Sequence, residues 1–375
     1  MIRSKLTNTL IQTIFVLSTS ALISLSAGQI TVMSYNVENL FDTINDPRVS
    51  DDEFTAGGKA EWTEEKLKAK LEHLGHVVTA VKNEDGTFCP TILGLVEVEN
   101  RAVLEFWKKN YLAECNYTTT MIHDHGSGPV EDDRRGIKVA LLSKLPLQKR
   151  FPDDPEEFLP HSGGRYILEA QLRLNGMPLI VLVNHWKSRI GDGAQKRLEA
   201  GKVLRTRFEF WNQVDPQSDI IAMGDFNDEP EDVSFLNGAR VQDDLSLLDD
   251  DLNQAFIWNT SFDSFNLRRI LAEAKDANDL GDHIDLGELE RLVRQKRGSY
   301  YFKRDKKFNQ LDSILVSRGL LNSSGGFKYI AKTFKVVRPL GFVNVGGAPI
   351  PFGTQDDGIF GGASDHFPVM VRLNY

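Results

Sequence analysis

Asp225 and Asn227 stand two residues apart in the run Ile221-Ala222-Met223-Gly224-Asp225-Phe226-Asn227-Asp228-Glu229-Pro230. In extended backbone, residues two apart point to one side. A carboxylate and a carboxamide are therefore expected together where the apolar strand Ile220 to Met223 ends. The carboxylate can orient or deprotonate a water, and the amide can donate to an anionic oxygen. Taken alone, the run is equally well read as a strand-to-turn exit, because Gly, Asp, Asn and Pro are turn formers.

The same arrangement recurs along the chain. Ile30 to Tyr35 alternates as a strand and runs into Asn36 and Glu38. Thr91 to Val96 is a continuous apolar run, as in a strand buried on both faces, and runs into Glu97 and Glu99. A carboxylate leaving such a strand is costly unless paired, metal-bound or solvated; one of these two glutamates is expected to face water. Leu179 to Val183 ends in Asn184-His185-Trp186-Lys187-Ser188-Arg189, where a histidine with cations beside it suits an anionic ligand. As a lone residue, His185 also reads as an ordinary core histidine. Asp312 stands near the start of Leu311 to Val316, and the adjacent Asp365 and His366, which open the last strand, are expected to serve different partners. Open α/β sheets bind ligands beyond the carboxyl ends of their strands.

Helices and turns must carry these strand ends. Thr63 caps a helix whose buried stripe is Leu67, Leu71, Leu74, Val77, Val78 and Val81. His73 and His76 on it read as ordinary histidines. Arg101 to Lys109 is a short helix, and Gln195 to Trp211 an amphipathic one. Asn175-Gly176 signals a hairpin between Ile167–Leu174 and Leu179–Val183. His123-Asp124-His125, followed by glycines, reads as a loop. Residues 240–290 are acid-rich and read as a solvated insertion with helical patches such as Asn266 to Lys275. Within it, Asp276 to Glu288 fails as a calcium loop: Leu280 sits at a ligand position and no acid closes it. Arg291 to Lys307 then turns basic around Tyr300, Tyr301 and Phe302, which suits either a nucleic-acid track or a charged hairpin. Residues 339–363 form a Gly- and Pro-rich loop, and no apolar membrane hairpin stands out.

The chain has 375 residues, 41% hydrophobic and 26% charged, enough for a sizeable core, with a net charge of −9. Such acidity excludes non-specific polyanion binding by net charge. Residues 1–28 have the form of a cleaved export signal, with Arg3 and Lys5 before a soft apolar run and small residues after it. No later stretch is long enough to span a bilayer. Cys89 and Cys115 can form one disulfide in an oxidising compartment, or remain two buried thiols.

Together, Ser34-Tyr35-Asn36-Val37-Glu38-Asn39-Leu40-Phe41-Asp42, Leu95-Val96-Glu97, Asn184-His185, Gly224-Asp225-Phe226-Asn227, Gln310-Leu311-Asp312 and Ser364-Asp365-His366 resemble the endonuclease/exonuclease/phosphatase superfamily, in that family's order. The opening segment looks most like bacterial exported members. The resemblance implies an α/β fold, a four-layer sandwich of two central mixed sheets flanked by helices, in one domain over residues 29–375. It also implies a divalent metal, magnesium or else manganese or calcium, with Glu97 as principal carboxylate, Asn36 supporting it, and Glu38 and Asp365 near it. Val96 stands where many members carry glutamine. Asp225 would position or deprotonate water, Asn227 and His185 would donate to phosphate oxygens, and Asp312 would orient His366. Whether Asp225 or His366 takes the proton stays open. Arg135 and Arg165 match basic positions that reach the cleft, and Lys187 and Arg189 extend them. The expected protein is a secreted or periplasmic, monomeric, metal-dependent phosphodiesterase on DNA or RNA, without stable membrane insertion. The alternatives are a non-nucleic phosphoester (sphingolipid, inositol phosphate or nucleotide) or a non-catalytic binding protein of the same fold.

Overall fold

Runs of aliphatic residues between turn formers become the strands. In chain order the elements are β1 (Gln29–Leu40), α1 (Glu64–Thr79), β2 (Ile92–Val98), α2 (Arg101–Tyr111), β3 (Thr119–Ile122), β4 (Lys138–Ser143), β5 (Glu157–His161), β6 (Arg165–Leu174), β7 (Met177–His185), α3 (Gly193–Val214), β8 (Ile220–Asp225) and β9 (Ile257–Asn259). Then come α4 (Phe262–Phe265), α5 (Leu267–Asp279), α6 (Leu286–Arg297), β10 (Tyr300–Phe302), β11 (Lys307–Asn309), β12 (Asp312–Ser317), α7 (Arg318–Asn322), β13 (Lys328–Tyr329), β14 (Lys335–Val336), β15 (Gly353–Thr354), β16 (Phe360–Gly361) and β17 (Val369–Asn374). This computed structural model describes residues 28–123, 135–148, 157–161, 165–279, 284–323, 325–354 and 360–375. The leader before residue 28, Asp124-His125 and Leu280 lie outside the described residues.

Two mixed sheets form the centre. The first has the order β13-β17-β1-β2-β4-β3, with β14 also on β17; the second has the order β5-β6-β7-β8-β12-β9. Their facing sides share one core, with Val32, Val96 and Leu141 from the first sheet and Val183, Met223 and Ile314 from the second. The sheets approach closely at Gly94, where a Cβ would lie 2.7 Å from the Met223 methyl. Leu204 and Phe208 of α3 cover the second sheet. Leu71, Leu74 and Trp107 of α1 and α2 cover the outer face of the first, against Met33, Leu93 and Leu142. Helix, sheet, sheet, helix is the four-layer α/β sandwich expected. The β6–β7 hairpin turns on Asn175 and Gly176, both at positive φ, and Thr63 caps α1 through Lys66 N.

One local reading changes and two open ones are decided. Residues 240–290 are not wholly a solvated insertion: they contain β9, which is buried and pairs with β12. Three residues among acids carry too little periodicity to reveal a strand. The basic run is a charged hairpin, β10–β11, led by α6, and its arginines are taken by acids: Arg291 by Glu288, Arg294 by Glu229 and Glu290, Arg297 by Glu231. Cys89 and Cys115 are joined in a disulfide.

Asp219, just before β8, is 2% exposed. One carboxylate oxygen accepts from Phe327 N, and the other has no hydrogen-bond partner. Burial pushes its carboxyl up to about 7, with Asp215 adding to the rise and the Phe327 bond opposing it. The folded state then holds a proton that the unfolded chain releases near its ordinary value of 3.8. Stability therefore falls as pH rises, by up to about 4 kcal/mol between pH ~4 and ~7. Asp219→Asn should flatten the dependence of Tm on pH in that window and stabilise the protein at pH 8. Parallel Tm–pH curves for the two proteins would contradict the assignment.

Candidate active site

Three neighbouring strands of the second sheet end in step. His185 is the register partner of Asp225 across the parallel β7–β8 pair. Asp225 is in turn the partner of Asp312 across antiparallel β8–β12. Adjacent strands lie about 5 Å apart, so pairing alone delivers an imidazole and two carboxylates to one edge. Gly224 permits the exit of β8: its φ is +147°, and a Cβ there would lie 1.9 Å from the Asn184 carbonyl oxygen.

The chain then turns at Asn227, with φ +52°. Asn227 N donates to Asp225 Oδ1 at 2.9 Å, and its side-chain Nδ2 donates to Asp225 Oδ2 at 3.2 Å and to the Trp186 carbonyl at 3.0 Å. The two residues are neighbours through a tight turn, not through extended alternation.

The first sheet supplies the opposite wall. The β1–β2 register pairs Asn36 with Val96 and then slips before Leu40 and Val98. Inside the slip, Glu38, Asn39 and Glu97 have φ values of +52°, +56° and +68°. Glu97 Oε2 accepts from Asn39 N at 3.0 Å, and Oε1 from Asn36 Nδ2 at 3.3 Å. Asn36 Nδ2 also donates to Asp225 Oδ2 at 3.0 Å and so joins the two sheets. His185 Nε2 lies 3.8 Å from both Glu97 Oε1 and Asp225 Oδ2. His366 meets Asp312 Oδ2 through Nδ1 at 2.7 Å, while its Nε2 lies 3.9 Å from Asp225 Oδ2. Ser364 Oγ donates to the Asn36 carbonyl and accepts from His366 N. The Tyr300 ring sits 4.8 Å from the His366 ring.

Burial and mutual repulsion set the electrostatics. Asp225 is pushed up to about 7 by burial, with Asp312 and Glu97 adding and His366 opposing. Glu38 also rises to about 7 through burial, against Lys70 and with Asp365. Burial raises Asp365 too, opposed by His366 and increased by Glu97. Burial works against the charged His366 ring, yet Asp312 and Asp225 hold its proton well above the usual histidine range. Lys70, on α1, is fully buried and is pushed down by burial; its Nζ donates to the Ala363 carbonyl and lies 3.7 Å from Glu38.

Glu97, Glu38 and Asp365 are half-buried carboxylates whose charges repel one another, and together they offer a set of oxygen ligands. This donor set fits a hard divalent cation. Asn36 borders it differently, since its Oδ1 accepts from Glu38 N and its Nδ2 faces Glu97 and Asp225. Asp225, Asp312 and His366 also each offer a ligand-type atom within 4.8 Å of the others. The His366–Asp312 hydrogen bond already occupies that trio, which suits proton handling better than an ion.

All nine expected catalytic and metal residues converge on this edge. Of the expected substrate cations, Arg135 donates to Asn39 Oδ1 and Arg165 to the Trp186 carbonyl. Lys187 is pushed down by burial and then by the charges of Arg165, Lys196 and Arg135, so these cations share one neighbourhood. Arg189 is turned to Asp232 and to the Asn227 carbonyl and braces the turn. Glu99 does not face water: it is 3% exposed, away from the site, and accepts from Asp42 N.

Two features went unread in the sequence. Lys70 sits inside the apolar stripe, three residues after Leu67, and that misplaced charge was the available signal. The acids after Asn227 are each met by an arginine: Asp228 by Arg197, Glu229 by Arg294, Glu231 by Arg297 and Asp232 by Arg189. No sequence signal pairs them.

A family model described as the endonuclease/exonuclease/phosphatase family matches residues 31–257 and 258–375. No curated protein matches significantly. Among solved structures, a truncated Caenorhabditis elegans TDP2 aligns with TM-score 0.52 and 14% identity, over 92% of this chain and 98% of that one. A humanized D. rerio TDP2 aligns with TM-score 0.51 and 12% identity, over 92% and 99%. An endonuclease/exonuclease/phosphatase family protein from Bacteroides thetaiotaomicron aligns with TM-score 0.50 and 14% identity, over 93% and 98%. At such identities the likeness is one of fold.

Arg297 is wholly buried against Glu231, and removing it leaves a shielded carboxylate unpaired. Arg297→Ala is expected to lower stability by about 3–5 kcal/mol in denaturant titrations. A loss below about 1 kcal/mol would mean that the pair does not brace the turn.

Proposed function

The chain belongs to the endonuclease/exonuclease/phosphatase family, and from that premise we propose that it is a magnesium-dependent phosphodiesterase acting on DNA or RNA. That it is a phosphoester hydrolase follows from the family. One observation carries the rest: Oδ2 of the buried Asp225 carboxylate meets Asn36 Nδ2 at 3.0 Å, His185 Nε2 at 3.8 Å and His366 Nε2 at 3.9 Å.

In this reading Glu97, Glu38 and Asp365 would hold the cation, which would neutralise charge on the phosphate oxygens. The chain's own groups do the remainder. Asp225, with its raised proton affinity, accepts the proton of the attacking water. His185 Nε2 donates to a non-bridging oxygen as charge grows on it, and Asn227, whose Nδ2 already donates to Asp225 and the Trp186 carbonyl, positions the Asp225 carboxylate. Asp312 fixes the His366 ring through Nδ1, leaving Nε2 to hold or return a proton on the Asp225 side. Arg135, Arg165 and Lys187 receive the anionic backbone flanking the cleaved bond. Hydrolysis in this reading is by direct water attack, with no covalent enzyme intermediate. The Cys89–Cys115 disulfide supports an oxidising compartment and, with the signal-like leader, a secreted or periplasmic protein.

A second reading, a lipid head-group phosphodiester, has its own support. Val345, in the turn closed by the Val343–Pro349 bridge, and Leu340, in the preceding Pro339–Phe342 turn, are wholly exposed apolar side chains. Among the described residues, no helix is long and apolar enough to cross a membrane.

The deciding experiment offers the mature protein duplex DNA, single strands, RNA, sphingomyelin vesicles and inositol phosphates, each with magnesium and with chelator. Nucleic-acid cleavage lost on chelation is the expected result. His185→Ala should lower kcat by roughly 10²-fold or more, and Glu97→Ala should raise the magnesium concentration needed. Turnover unaffected by chelator, or a His185→Ala protein as active as its parent, would defeat the reading.

A further inference from the structure

Beside the phosphate end of the site lies a cavity of about 260 Å³, shared with it through Glu38 and Asn39. Its other walls are the rings of Phe54, Trp62 and Phe352, with Lys66 at the side. Trp62 meets both phenylalanines edge-on, at 5.8 Å and 85° from Phe54 and at 5.7 Å and 76° from Phe352. These rings are held from behind. Phe54 stacks on Phe41 at 4.1 Å, Trp62 Nε1 donates to the Phe41 carbonyl, and the Lys70 ammonium sits 5.1 Å from the Phe352 ring centre. Phe54 and Phe352 are half-buried, which leaves ring surface facing the cavity.

The chemistry of this cavity is narrow. Fixed aromatic faces at an open polar mouth suit a flat, π-rich ligand with a hydrogen-bonding edge. Lys66 Nζ, held by the Ala60 carbonyl, and the Glu38 carboxylate supply a donor and an acceptor at that mouth. The volume falls below that of drug-sized sites. It suits one ring system and excludes a base pair. Glu38 and Asn39 line both the cavity and the carboxylate wall of the site, so a ring held in the cavity adjoins that wall. Asn39 N binds Glu97 Oε2, and Glu38 N binds Asn36 Oδ1, so a ligand in the cavity adjoins the groups that handle the phosphate.

We infer that this cavity is a base-binding subsite, which takes one unpaired nucleobase attached to the sugar next to the cleaved phosphodiester. This rests on the nucleic-acid reading of the site and adds a preference to it. Single strands and frayed ends are cut in preference to intact duplex, because a paired base cannot enter without leaving its stack.

The test compares two single-stranded oligonucleotides in magnesium, one fully based and one carrying a tetrahydrofuran abasic residue on either side of the cut. The parent protein should cleave the based strand with kcat/KM about tenfold or more higher, chiefly through KM. Phe54→Leu, which keeps an apolar side chain and removes the ring, should lose activity on the based strand alone and so close that gap. Equal cleavage of both strands by the parent, or an undiminished gap in Phe54→Leu, would overturn the subsite and leave the nuclease reading standing. Because the first comparison uses the unaltered protein, it holds even where the variant does not fold. Failure to cleave either strand, with cleavage of a lipid or inositol phosphodiester instead, would remove the nucleic-acid reading and this subsite together.

Discussion

Negative charge held out of water at one edge of the sandwich is the constraint that the rest of the structure answers. Asp225, Glu38 and Asp365 all hold protons more tightly than exposed carboxylates do, first because burial penalises their charged forms. Lys70 is buried beside Glu38, and its own charge is penalised by the same burial. Such a cluster is unfavourable for folding and favourable for binding a cation or a proton. It persists because the strands carrying it are committed elsewhere. The register that places His185, Asp225 and Asp312 side by side is fixed by the apolar residues below them, such as Val183, Met223 and Ile314. A slip of one residue would turn that apolar set out of the core. Core packing thus holds polar groups together that would otherwise separate.

The turn after β8 needs a different restraint, because no sheet pairing reaches it. There the chain carries Asp228, Glu229, Glu231 and Asp232, and each is answered by an arginine from another element. Arg197 comes from α3, Arg294 and Arg297 from α6, and Arg189 from the segment after β7. Exposed pairs contribute little, but Arg297 is wholly buried and Arg197 nearly so. Guanidinium forks fix direction as well as distance. Two residues of the basic stretch that suggested a nucleic-acid track, Arg294 and Arg297, are therefore spent on holding the turn after β8 against α6. A second group of cations stands together around Arg135, Arg165 and Lys187.

How much of this could be read in the chain follows from the range of each interaction. The strand-end residues were legible because each is a local event, a polar side chain directly after an apolar run. The helices and long strands were legible in their periodicity, whereas the four-layer sandwich was implied only by the family resemblance of the strand-end motifs. What escaped depends on partners distant in sequence. Glu99 looks solvent-facing after β2, but Asp42 N and the surrounding loop enclose it. Strand β9 is too short for alternation to show, and only its pairing with β12 defines it. Nothing local tells Arg297 that Glu231 lies opposite, or makes Lys70 more than an error in an apolar stripe.

The placement of the site residues also shows why a simple rule found the right neighbours for an incomplete reason. Alternation put Asn36 with Glu38 and Asp225 with Asn227. In the folded chain Glu38, Asn39, Glu97 and Asn227 all lie at positive φ, outside regular strand geometry. Non-glycine residues there carry backbone strain, and such positions cluster where function over-determines the local structure. Here the compensation is visible, since each of the two turns is closed by a hydrogen bond from the backbone onto a site side chain: Glu38 N to Asn36 Oδ1, and Asn227 N to Asp225 Oδ1. The acceptors are thereby held in place by the strain they relieve. Asn36 then reaches across to Asp225, so the two strained turns, one from each sheet, are locked through a single carboxamide.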